Sequence, residues 1–197
     1  AAPFIEQGLH RASQILPRIM SAVFPYNRFP MTRGWAEKQR WEDLPAYAKA
    51  EGSDTQQFAS FDEEARWLVD GEETAKVLPS ATSRWLARAS EDVLRLAGEA
   101  EKRIGAAPSK EFVSTVTDLK ILGNLALYHA RRIPAGVAYA VYRRSRDASA
   151  LDDAIAHEKE AIEAWAGLVA AAGDVYSDDL AMGLPSSDLS GHWKDEL

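Results

Sequence analysis

From Ser60 to Gly173 apolar residues recur at helical spacing between capping signals, and no stretch alternates polar and apolar with the β-branched content of a strand. That pattern predicts an all-α chain. Ser60-Phe61-Asp62-Glu63 has the form of a capping box, in which Ser60 accepts from the third helical N–H while Glu63 reaches back. It opens a short helix through Leu68 that Gly71 ends. Pro79-Ser80 introduce a longer helix over 81–104, with Trp85, Leu86, Ala89, Val93, Leu96 and Ala100 on one face and Gly105 as its stop. Pro108-Ser109 start a third, which runs on to 146 with a kink expected at Pro134-Ala135-Gly136. Ser149-Ala150-Leu151-Asp152 reads as a second box-like cap, opening a last helix that Gly173 closes. The links between these helices are short, so neighbours should be antiparallel and the fold an antiparallel helical bundle.

Upstream, residues 4–24 read as one helix that Pro17 kinks or divides and Pro25 stops. Residues 25–60 form a long irregular segment rich in Pro and aromatics, among them Trp35, Trp41 and Tyr47, with a helical turn or two expected within 35–50. Aromatic density argues for packing there rather than disorder. Residues 174–197 read as an irregular tail. The whole of 1–197 is taken as a single helical domain, a fragment of a larger chain. A tetratricopeptide-like cadence at Ala138, Tyr142, Asp147, Leu151, Ala154 and Ala161 has no echo elsewhere, and such repeats need several units to bury their faces.

Composition narrows the chemistry. There are no cysteines, which excludes disulfides, thiolate metal sites and cysteine nucleophiles. A net charge of −7 argues against a nucleic-acid binder, which needs a basic face to displace counterions. The pairs Arg131-Arg132 and Arg143-Arg144, with Arg146, read as solvating a helix. No apolar run approaches the ~20 residues of a membrane span. His10, His129, His157 and His192 lack ligand spacing and read as surface or core-edge residues, so neither a metal nor another cofactor is expected. Asp62, Glu63 and Glu64 sit in a first turn, where the helix dipole explains them. Asp178 and Asp179, in the tail, have no such explanation and are the candidate catalytic carboxylates. Candidate ligand-binding residues are Trp35 and Trp41, whose faces suit sugar rings, Tyr142 and Arg143 beside the Pro134 break, and His192 and Trp193.

The stretch "DLKILGNLALYHARRIPAGVAYAVYRRSRDASALDDAIAHEKEAIEAWAGLV", followed by "DVYSDDLAMG" and "LSGHWKDEL", resembles a helical region of large, mostly uncharacterised bacterial secreted proteins with glycoside-hydrolase-like architecture. The resemblance rests on helix faces and one short motif, Gly-His-Trp-x-Asp-x-Leu, and covers about two-thirds of the chain. It implies a non-catalytic accessory domain of a carbohydrate-active protein, secreted or periplasmic. Its implied partners are the catalytic domain of the same parent chain and carbohydrate. A repeat-type interaction module and an autonomous all-α glycosidase are the alternatives. The closing Lys194-Asp195-Glu196-Leu197 spells an endoplasmic-reticulum retention signal, but Asp195 and Leu197 already belong to the motif, so the address is read as an accident.

Overall fold

The computed structural model describes residues 1–23, 43–177, 180–181 and 190–197. The fold is all-α: α1 (Ala2–Ala12), α2 (Ile15–Val23), α3 (Leu44–Tyr47), α4 (Phe61–Asp70), α5 (Pro79–Arg103), α6 (Lys110–Ser145) and α7 (Ala148–Ala172). α6 is the central helix, and α5, α7 and α4 pack on it. α5 runs antiparallel to α6, since Ser83 meets Ala130 while Glu101 meets Lys120. α7 is antiparallel to α6 as well, with Arg132 opposite Glu158 and Asn124 against Gly167. No described helix is long and apolar enough to cross a membrane.

The helix boundaries follow local chemistry. The first helical stretch divides at Ser13-Gln14, three residues ahead of Pro17. There the proline ring would meet the Ser13 carbonyl and supply no N–H to it, and in the first turn of α2 neither defect matters. The α4 capping box forms in both directions, Ser60 Oγ accepting from Glu63 N–H and Glu63 Oε2 accepting from Ser60 N–H. Lys76 pairs with the same carboxylate at 2.7 Å. The α7 cap corrects the reading at Ser149: Asp147 is the capping residue, and its carboxylate accepts from the Ser149 N–H. Glu64 is likewise more than a dipole partner. It is buried, and its carboxylate accepts from the Ser80 N–H at 2.9 Å, filling an orphan donor at the start of α5.

Two close approaches depend on glycine. A Cβ on Gly52 would lie 2.0 Å from the Ser21 carbonyl oxygen. Beside it the Ser53 and Asp54 N–H groups donate to the carbonyls of Met20 and Ser21 in the last turn of α2. Gly136 lets the Phe61 ring reach the α6 backbone, 2.8 Å from where a Cβ would stand. Phe61, Tyr47, Leu86, Leu119 and Ile133 belong to the larger core, and a second core between α6 and α7 holds Tyr128, Trp165 and Leu168.

α6 is unbroken through Pro134. Proline cannot donate to the carbonyl four residues back, that of Ala130, and a buried acceptor left without a donor is costly. The Ser83 hydroxyl, from α5, donates to it at 2.7 Å. The expected break is thus satisfied from the neighbouring helix. Ser83→Ala should cost about 1–3 kcal/mol, and clearly less in a Pro134→Ala background, where residue 134 regains an N–H. Equal costs in both backgrounds, measured by urea denaturation, would separate Ser83 from the proline.

The 25–60 segment is described only from residue 43, and there it contains α3, capped by Asp43. The tail carries only short ordered elements among its described residues. Leu180–Ala181 and Ser190–Gly191 pair as two-residue antiparallel strands, and Trp193–Glu196 forms a 3-10 turn.

Candidate functional site

Between α6, α7 and the C-terminal turn lies a cleft of about 130 Å³, lined by Tyr128, Arg132, Glu158, Ile162, Trp165 and Leu197. Tyr128 and Arg132 stand one turn apart on α6, and Glu158, Ile162 and Trp165 at spacings of four and three on α7. Helix periodicity therefore turns each set toward the other helix.

The floor is an ion pair. The Arg132 Nε and one terminal nitrogen both reach Glu158 Oε1 at 3.1 Å. Arg132 is buried, with its guanidinium carbon 4.3 Å from the Tyr47 ring centroid and 5.7 Å from that of Tyr128. Burial works against its charge, but Tyr128, Glu158 and Tyr47 more than offset this and raise its pKa. Burial pushes the Tyr47 phenol up in turn, so it is a neutral hydroxyl. That hydroxyl is enclosed and has no hydrogen-bond partner among the described residues. His129, beside Tyr128, is also buried, and its pKa is lowered to about 3, first by burial and then by Arg132. Arg132 and His129 therefore correct the sequence reading, which placed the arginine in solvent and the histidine at the surface or core edge. The helical register of Tyr128 and Arg132 against Glu158 and Trp165 is the signal that would have found the cluster.

The C-terminal turn closes one end. His192 is buried, and its Nδ1 accepts from the Lys194 N–H while Asp195 Oδ2 accepts from the His192 N–H at 2.8 Å. This is a capping box built on histidine. The Trp165 indole N–H donates to the Trp193 carbonyl at 2.8 Å, and the Trp193 ring meets Tyr176 edge-on at 5.4 Å. Tyr176 donates to Asp118 and has its pKa raised to about 12, chiefly by that bond. His192, Trp193 and Asp195 thus act together as an anchor. Trp193 is half-buried, so Trp193→Ala should cost about 1–3 kcal/mol and lower Tm clearly. An unchanged Tm would mark the ring as free for stacking on a ligand.

The remaining candidates lie elsewhere or outside the described residues. Tyr142 is half-buried against Tyr139, ring centroids 6.1 Å apart, and Arg143 is exposed in the last turn of α6. Tyr142 is fourteen residues beyond Tyr128, about 21 Å along the helix. The two are therefore not part of the cleft. Trp35, Trp41, Asp178 and Asp179 lie outside the described residues. Among the described residues no group of three or more His, Asp or Glu could hold a metal ion.

Comparisons with family models, with curated proteins and with solved structures found no match to this chain.

Proposed function

We propose that the chain is a non-catalytic helical accessory domain of a larger carbohydrate-active protein, packed against that protein's catalytic domain and exported with it. The observation that supports this reading is the Arg132–Glu158 pair. Arg132 and Glu158 pair with each other across the cleft, and at about 130 Å³ the cleft falls below the ~300–1,000 Å³ of ligand pockets. Other well-placed carboxylates serve the fold in the same way. Glu63, Glu64, Asp147 and Asp195 each accept a backbone N–H at a helix or turn start. Exposed Ile155 and Ile162, two turns apart on α7, are apolar surface that packing against a neighbouring domain would use. The carbohydrate class rests on the resemblance carried by the helix faces and the Gly191-to-Leu197 motif.

The test is turnover. The purified chain should give a strong helical circular-dichroism signal and no hydrolysis across a panel of aryl glycosides and polysaccharides. Robust hydrolysis abolished by Asp178→Asn or Asp179→Asn would make it an autonomous glycosidase instead.

A further inference from the structure

Away from the cleft, α1 and α2 lie along α5, and a second group of charged and aromatic side chains lines that seam. The guanidinium carbon of Arg18 stands 4.7 Å from the Phe58 ring centroid and 5.4 Å from that of Trp85. Arg11 packs on the same Trp85 ring at 4.9 Å. The two arginines differ in their partners. Arg11 donates to Gln14 Oε1 at 3.2 Å and pairs with Asp92 at 3.3 Å. Arg18 has no carboxylate partner among the described residues; its Nε, like that of Arg11, is enclosed without a hydrogen bond. Its packing already lowers its pKa through desolvation.

The surroundings offer no relief. Trp85, Arg88, Asp92 and Arg95 recur at three, seven and ten residues, which places them on one face of α5. Asp92, the carboxylate of that stripe, already serves Arg11 and, at 3.7 Å, Arg95. In a chain of net charge −7 this seam is a local excess of positive charge. A guanidinium packed on aromatic rings has few rotamers left to lose, and its planar fork matches two oxygens of one anion. An anion arriving here would gain a charge-assisted pair at the terminal guanidinium nitrogens, which, unlike the enclosed Nε, are open to it.

We propose that Arg18, packed on Phe58 and Trp85 beside Arg11, is the binding group of an oxyanion site that takes the carboxylate or phosphate group of a small ligand. The Arg18 fork holds two oxygens, and the seam arginines supply the surrounding field. This site is independent of the accessory-domain reading, and either can fail without the other.

The experiment follows the Arg18 Nε–H and Trp85 indole N–H resonances of the whole chain during titration at constant ionic strength. The probes are inorganic phosphate and acetate, with sodium chloride as the control. Both resonances should shift saturably with one of the two oxyanions, with Kd on the order of millimolar, and stay still in chloride. The oxyanion that acts identifies the ligand group. Arg18→Lys should weaken binding by about tenfold or more, because an ammonium lacks the fork, and Arg18→Gln should abolish it. No saturable shift with either oxyanion up to ~50 mM, an equal shift in chloride, or an unchanged Kd in Arg18→Gln would overturn the site. The titration of the unmodified chain decides the matter even if a variant fails to fold.

Discussion

Acidification from pH 7 toward pH 4 should destabilise this chain steeply, and a His129→Gln variant should lose much of that dependence. His129 is buried beside Arg132, and its pKa is lowered to about 3, with burial the larger cause. Folding therefore holds the imidazole neutral, while the unfolded chain takes up a proton near its ordinary pKa of about 6.5. A depressed folded pKa means the stability is full above about pH 6.5 and is lost as pH falls toward 3. One proton gives about 1.4 kcal/mol per pH unit, so roughly 3 kcal/mol should be gone by pH 4. Carboxylates add to the acid limb lower down. The pKa of Glu63 is depressed: burial raises it, but the hydrogen bonds from Lys76 and Ser60 win, and its contribution fades only as pH falls through that lowered value. Urea denaturation of both proteins at pH 7, 6, 5 and 4 separates the two. Parallel losses between pH 6 and 4 would show that His129 does not enter the fold as a buried neutral group.

The second large effect belongs to the pair at the cleft floor. Removing Glu158 takes from a buried guanidinium the carboxylate it pairs with, and truncating one member of a buried pair typically costs about 3–5 kcal/mol. Glu158→Leu should fall at the lower end, because Glu158 keeps some exposure and water can reach Arg132 from its side. Arg132→Met should cost as much or more. It also removes the cation from the Tyr47 and Tyr128 rings, contacts worth up to about 2 kcal/mol when desolvated.

How far the sequence foretold this molecule depended on the range of the interaction concerned. The Ser60–Glu63 capping box, the Ser109 cap and the Gly71 stop are set by residues a few positions apart, and they stand where the sequence placed them. The α7 cap slipped because Asp147 and Ser149 are both competent capping residues, and the choice lies in backbone geometry. Pro134 announced a freed carbonyl, but its donor, Ser83, is 47 residues away, and nothing local singles out that serine. The Tyr47, Tyr128, Arg132 and Glu158 cluster has the same character: three helices distant in sequence converge on one guanidinium. Arg132 shares its dipeptide with Arg131, which is half-buried and donates to the Glu160 carbonyl. One step of about 100° around α6 separates these two environments. At the C-terminal turn the structure gives individual residues work: His192 and Asp195 cap the turn and Trp193 packs it down.

The charges of the cleft hold the fold together, and a double-mutant cycle on Arg132 and Glu158 tests this most directly. Denaturation free energies are needed for the unmodified chain, Arg132→Met, Glu158→Leu and the double variant. If the pair is structural, each single change costs several kcal/mol, about 3–5 by analogy with other buried pairs, while the double variant recovers most of the loss because no lone charge remains buried. Single variants within about 0.5 kcal/mol of the unmodified chain, with no coupling between them, would contradict it. The Arg132 and Glu158 side chains would then be free to serve a ligand, and the accessory reading would lose its main support.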